Sequence, residues 1–470
     1  MKGIPLEEVS FCPTSYVDPN GRVFEWNGRV FRAITAEAAP LYLELWQNGT
    51  FLQLLEKGWL VRTEITPLSL EGYALILEHQ KIPFLTYCIE WPAPMLRDAA
   101  LLTLDIGQAL AENDLTLQDA YPWNVYFEGT RPVFIDFGSV IKVNPNFIWA
   151  AYHQFCRFFL YPLYLHMFKK GKIARFFLMH FFDGVWEDDL VSQLSLSQKL
   201  LTPRLFFKIV LPYYLEKARL SLPTAWQGRF KDLNKGLQKY NTKEVRKNFL
   251  KSLRKDVQAM EFEAKGSHWL DYYKKKFPSD APGSGLKERV VSQLLEKLRP
   301  ADVLDIGCNV GQYSVMAAER GAKVIAFDRD EATINKLYYE ARDKNLYIIP
   351  LVMDFLSPTP GFGWCSKQFP PALERLRCEM VLCLALIHHV IFGYWQNFER
   401  IADALNALSK RWVLVEFIPR EDEHVKTHLE GRFEWYSMDN LINALQKYFS
   451  KIDIFDSYPC GRKLLLCQKE

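Results

Sequence analysis

Residues 303–314, VLDIGCNVGQYS, constrain the fold of this chain more than any other stretch. Val303 and Leu304 are strand formers of the kind that parallel sheets bury on both faces. Gly307 and Gly311 lack a Cβ, so the backbone turns sharply and approaches a ligand closely, and the residues beyond resume a helical pattern. A strand that runs through a glycine turn into a helix is the opening unit of an open α/β sheet. Such sheets bind ligands at the carboxyl ends of their strands, which is where Asp305 falls. The spacing is D-x-G-x-x-x-G rather than the G-x-G-x-x-G of dinucleotide sites, so no pyrophosphate cradle is implied.

The sequence around this motif extends the pattern. From 284 to 467 helix and strand signals alternate: LKERVVSQLLEKL, strand 302–306, helix 312–320, strand 323–327, helix 331–343, strand 346–353, strand 380–386, helix 394–409, strand 411–417 and helix 438–449. KIDIFDSY and RKLLLCQ then form a hairpin around Pro459-Cys460-Gly461. This predicts five parallel strands and a terminal hairpin whose last strand runs antiparallel. VIAFD places Asp328 at the end of the second strand, 21 residues beyond Gly307, where an acid reaches ribose hydroxyls in nucleotide-binding α/β folds. LVMDF sets Asp354 and Phe355 after the third strand, an acceptor and an apolar wall for an adenine. MVLCLALIHHV ends at the same edge in His388 and His389, either of which, as a neutral imidazole, takes a proton from an acceptor hydroxyl. Glu416 closes the fifth strand in LVEFIP and is expected to position substrate or complete the pocket.

Together these pieces resemble class I S-adenosylmethionine-dependent methyltransferases. VLDIGCNVGQYS, VIAFDRD, the GFGW…ALERLR stretch, LALIHH and VLVEF-x-P resemble in particular a bacterial family with NoeA-like nodulation proteins. The resemblance implies a Rossmann-like, seven-stranded domain over 266–470 that binds S-adenosylmethionine through Asp305, Gly307, Cys308, Asn309, Gly311, Asp328, Asp354 and Phe355. The acceptor is a small molecule or glycan that the motifs do not name.

The first half reads differently. VFEWNGRVFRAI is a hairpin around Asn27-Gly28. A helix-like stretch covers 38–57, strand-like segments are GYALILEHQ and PFLTYCIEW, a helix spans 95–112, and VYF and PVFID are short strands. The pattern is helical from 145 to about 265. Strands first and helices later predict a two-lobed α+β domain over 1–265, with lobes of about 20–92 and 93–265. Asp119-x4-Asn124, followed by Asp136-Phe137-Gly138, has the spacing of a protein-kinase catalytic loop and D-F-G turn. The resemblance to kinases implies Asp119 as the base, Asn124 and Asp136 as magnesium ligands, and an ATP pocket. No glycine-rich loop precedes the strands. Arg32 stands where kinases carry lysine, with Glu44 as its expected partner, and arginine is not interchangeable with lysine at a phosphate site.

Three functions fit these features: a methyltransferase whose kinase-like half binds substrate or nucleotide, a bifunctional kinase–methyltransferase acting on a surface glycan, or a ligand-sensing scaffold. The formal charge of +3 gives no reason to expect nucleic acid. Nine cysteines without a C-x-x-C pair, and a start without the apolar core of a signal peptide, predict reduced thiols in the cytoplasm. The aromatic, basic segment 147–182 is interrupted by Arg157 and Pro162. It reads as buried helices, with peripheral contact to the inner membrane face as the alternative. The lysine-rich run 231–276 and PSDAPGSG at 278–285 mark the boundary between the halves. HVKTH puts His424 and His428 at zinc-ligand spacing without further ligands, so no metal is expected there.

Overall fold

A computed structural model describes residues 2–16, 18–220, 241–262, 270, 285–426 and 433–470. The turn-prone 278–284, half of the lysine-rich run and His428 lie outside these.

The amino-terminal half starts from an antiparallel sheet of five strands, β1 (Ser10–Phe11), β2 (Gly21–Trp26), β3 (Arg29–Ile34), β4 (Thr63–Ile65) and β5 (Leu75–His79). Their order across the sheet is β1-β2-β3-β5-β4. Asn27 and Gly28 both take positive φ, 49° and 72°, which matches a two-residue hairpin turn to the twist of β2 and β3. Two helices, Ala39–Gln47 and Thr50–Glu56, connect β3 to β4. The single helix expected over 38–57 is broken at Asn48-Gly49, where Gly49 turns left-handed. PFLTYCIEW forms no strand. Its backbone turns instead, with Glu90 N–H donating to Tyr87 O and the Glu90 carboxylate accepting from Tyr87 N–H.

The long helix Ala93–Ala111 follows, buried along most of its length. The hairpin Val125–Glu128 and Arg131–Phe134 packs beside it, and helices continue to Leu220. Helix Lys243–Gln258 lies back along Ala93–Ala111, tied by Arg254 to Asp105 at 2.5 Å. In segment 147–182, Phe155, Phe158, Phe159, Leu163 and Leu165 are core residues, whereas Phe147, Ile148, Phe176 and Phe182 are exposed. No helix among the described residues is long and apolar enough to cross a membrane.

The carboxy-terminal sheet contains β6 (Asp302–Ile306), β7 (Lys323–Asp328), β8 (Ile348–Val352), β9 (Cys378–Cys383), β10 (Ser409–Phe417), β11 (Lys451–Asp456) and β12 (Lys463–Gln468). The order is β8-β7-β6-β9-β10-β12-β11, parallel except at β12, which runs antiparallel to both neighbours. Side chains alternate across it as a pleat requires. Leu304, Ile325, Ile349, Val381 and Val413 face a core continuous with the amino-terminal half; Val303, Val324, Ile348, Met380 and Trp412 face helices on the other side. The chain reverses direction across the sheet between β6 and β9, which opens a crevice at their carboxyl ends.

The fourth strand ends earlier than expected, at Cys383. LALIHH is therefore a turn entering a helix, Ile387–Tyr394, and the helix expected at 394–409 is present as Phe398–Leu408, starting four residues later.

Candidate functional site

A cavity of about 440 Å³ occupies that crevice. Gly307 and Asn309 line it from the turn after β6, Asp328 and Arg329 from the end of β7, and Met353, Asp354, Phe355 and Leu356 from the segment after β8. Leu384, Leu386, His388, His389, Tyr394, Ile418 and Arg462 close the opposite side.

The glycine turn works as its residues demand. Gly307 and Cys308 donate their N–H groups to Phe327 O, fastening the turn to β7. Gly311 has φ 81°, a backbone conformation that strains any other residue, and a Cβ there would sit 2.3 Å from Leu337 Cδ1, so the turn into the helix Gln312–Ala318 favours glycine. Asn309 has φ 52°, and its buried Oδ1 has no partner among the described residues, an acceptor left over beside the cavity.

Asp328 accepts from Asn309 N–H at 3.0 Å and from Asp330 N–H at 2.9 Å. Burial raises its pKa, and those two amides pull it back. The carboxylate is thus fixed in direction by backbone donors while remaining on the cavity wall. Asp354 is oriented in the same way by Leu356 N–H at 2.9 Å. Asp305 is placed differently: it is buried behind the wall and accepts from Ser314 Oγ at 2.6 Å. Burial pushes its pKa up to about 6 against that bond. Cys308 and Gly311 likewise stand behind the lining rather than in it.

His388 is buried and His389 exposed, with ring centroids 4.0 Å apart, in the first turn of their helix. The structure therefore brings both to the cavity but gives only His388 a dry environment. Glu416 does not line the cavity. It is fully buried, accepting from Lys287 Nζ at 2.6 Å and Ser457 Oγ at 2.8 Å, which pins the helix Leu286–Leu298 to the sheet.

Among the lining residues that sequence reasoning missed are three polar ones, Arg329, Tyr394 and Arg462. Arg329 donates to Tyr394 OH at 2.5 Å across the mouth, and Arg462 reaches the cavity from the terminal hairpin, bound to Asp422 at 2.8 Å. Arg329 lies within the VIAFDRD motif without having been singled out; nothing local marks Tyr394 or Arg462.

The amino-terminal residues converge on a second centre. Asn124 donates to Asp136 Oδ2 at 3.2 Å, Ser139 Oγ donates to Asp119 O, and Gln154 donates to Asp119 Oδ1 at 3.1 Å. Arg32 lies among them with its side chain only 7% exposed, 2.6 Å from Asp18 Oδ2 and 3.2 Å from Asp136 Oδ1. Gly138 N–H also donates to Asp136 Oδ1. Burial opposes the Arg32 charge, yet the two carboxylates outweigh it and hold its pKa above the ordinary value. Asp136 is raised by burial and lowered by Arg32. Asp18 was not anticipated from sequence. Glu44 is not the partner of Arg32: it is exposed and faces Lys142 at 3.3 Å. Both Asp136 oxygens carry protein donors in this arrangement.

Comparison with known proteins follows this division. Residues 244–454 match the model of a family described as a methyltransferase domain. The nodulation protein NoeA of Rhizobium meliloti (strain 1021) is 28% identical over 451 residues, covering 92% of this chain and 90% of that protein. Among solved structures, magnesium protoporphyrin IX methyltransferase from Synechocystis PCC 6803 with bound SAM aligns at 17% identity and a TM-score of 0.28, over 39% of this chain and 78% of that one. The bifunctional kinase-methyltransferase WbdD aligns at 17% identity and a TM-score of 0.30, over 42% of this chain and 45% of its own. The similarity to a methyltransferase domain thus lies in residues 244–454 of this chain.

Proposed function

We propose that the protein transfers a methyl group from S-adenosylmethionine to a hydroxyl of a sugar, polysaccharide or small metabolite. The observation that carries this is the pair of backbone-oriented carboxylates, Asp328 and Asp354, on the wall of a cavity at the reversal point of the sheet. Asp328 takes the ribose diol, Asp354 the adenine amino hydrogens, and Phe355 packs on the ring. Asn309 Oδ1 and the Gly307 turn face the methionine end. When bound, the cofactor supplies an electrophilic methyl group on a sulfonium. His388 then accepts the proton that an acceptor hydroxyl loses, and Arg329 with Tyr394 partly closes the mouth and excludes water. Alignment and deprotonation are most of what such a transfer needs.

We read the amino-terminal half as kinase-like in fold and without phosphoryl transfer. The strand order β1-β2-β3-β5-β4 with helices between β3 and β4, and the convergence of Asp119, Asn124 and Asp136, support the fold. The Arg32 guanidinium held by Asp18 and Asp136 favours a single activity over two, because the cation position is already filled by protein. Calorimetry tests both statements. The expected result is binding of S-adenosylmethionine and no magnesium-dependent binding of ATP; protein that binds ATP with magnesium restores the bifunctional reading, and protein without affinity for the methyl donor removes this one.

A further inference from the structure

The two loops that carry Asp328 and Asp354 are both gripped by the amino-terminal half. Asp330 follows Asp328 by two residues and caps the helix Glu331–Asp343, accepting from Ala332 and Thr333 N–H. Glu331, the first residue of that helix, points away from the cavity. Its carboxylate lies 2.8 Å from His166 Nδ1 and 2.8 Å from Arg175 Nη2. His166 belongs to the helix Tyr161–Met167 and Arg175 to the helix Gly171–Leu178. A Cβ on Gly171 would stand 2.6 Å from both Glu331 Oε2 and His166 Nδ1, so the glycine makes room for the clasp. Burial disfavours the Glu331 charge, but His166 and Arg175 outweigh it and hold its pKa far below the usual carboxylate range.

The second grip is at the end of β8. Val352 N–H donates to Glu90 O at 2.7 Å, and Met353, Asp354 and Phe355 enter the cavity wall directly afterwards. The Glu90 carboxylate is paired with Arg375, both almost fully buried. Arg375 also donates to Leu85 O at 2.7 Å and lies 4.3 Å over the Tyr87 ring. Glu90 is therefore held by Tyr87 N–H of its own turn and by Arg375 of the carboxy-terminal half.

We propose that the amino-terminal half is the positioning element of the methyl-donor site, acting on the ribose loop through Glu331 and on the adenine loop through Glu90. This rests on the methyl-donor reading above. Its logic is pre-organisation: loops held in the binding geometry before the ligand arrives leave less ordering cost to be met on binding. The same half also touches the helix Glu331–Asp343 at a place remote from the cavity, where Asp98 accepts from Tyr338 OH at 2.8 Å and pairs with Arg342. That contact holds the halves together without reaching either loop, and it provides the control.

The test is calorimetric titration of the full chain with S-adenosylhomocysteine, beside thermal melting. Glu331→Ala is expected to weaken binding about tenfold, the size of an ordinary coupling between sites. Glu331→Gln, which keeps the shape and a hydrogen bond to Arg175, should recover part of that loss. Asp98→Ala should lower the melting temperature and leave affinity unchanged. Should Glu331→Ala fail to fold, Arg175→Met reads the same clasp from the other side. Unchanged affinity in the folded Glu331 or Arg175 variants, with only a lowered melting temperature, overturns the proposal. Wild-type protein that binds no S-adenosylhomocysteine overturns it together with the reading beneath it.

Discussion

Asp328 and Asp136 are both carboxylates at the end of a strand, each near a nucleotide-type motif, and each raised in pKa by burial. They differ in what holds them. Asp328 is oriented by two backbone amides and stays on an open wall. Asp136 is held by a guanidinium, an amide and a side-chain carboxamide. Backbone donors fix a carboxylate while leaving its charge for a ligand; a buried cation fixes it by consuming that charge. The difference is between a carboxylate left open on a cavity wall and one engaged in an internal ion pair, and motif spacing alone does not reveal it.

The comparison breaks most visibly at Arg32. Arg32→Ala leaves Asp18 and Asp136 without their shared cation, and loss of one partner from a buried pair costs about 3–5 kcal/mol. Urea unfolding should register it; a variant as stable as wild type would show that the guanidinium is not what balances these acids. Asp328→Ala is next. On the proposed role of Asp328 as acceptor of the ribose hydroxyls, its removal is expected to weaken donor affinity by about 2–3 kcal/mol. Asp136→Ala should leave that affinity unchanged, and calorimetry on both variants sharpens the contrast between the two acids.

A smaller effect is expected at Asp305, whose folded pKa of about 6 lies above its unfolded value. The folded state then binds the extra proton, so stability falls as pH rises from about 4 to about 6. Asp305→Asn should flatten that part of the stability–pH profile; an unaltered profile places the titration elsewhere. The smallest effect belongs to Glu44. Its ion pair with Lys142 is solvent-exposed, and Glu44→Ala should change stability by less than about 0.5 kcal/mol. A loss several times larger would return Glu44 to the company of Arg32.

Local pattern made much of this legible. The helix Leu286–Leu298, the glycine turn and the carboxyl-terminal hairpin follow from periodicity and turn chemistry, because each is decided by residues close in sequence. PFLTYCIEW was misleading because its apolar residues serve a turn buried between the halves, with Tyr87 packed on Phe362 and Phe369. Glu416 looked like a site residue because it ends a strand at the ligand edge, yet Lys287, 129 residues away, claims its charge. Asp18, Arg462 and the clasp at Glu331 depend on partners far along the chain, and a single sequence carries no mark of such pairings. LALIHH shows the middle case: the histidines reach the cavity as expected, but on a helix, so their spacing separates a dry ring from an exposed one.

The outer edge of β8 has a consequence for how the chain is made. This is the last strand on its side of the sheet, and its far flank meets Glu90 at Val352 and Gly129 beside Tyr347. Bare edge strands recruit other strands and seed aggregation. A ribosome releases the amino-terminal half first, and domains fold as units in that order. The segment that covers this edge thus emerges before the edge itself, and the order of the halves along the chain favours pairing of β8 within the chain over pairing with its neighbours.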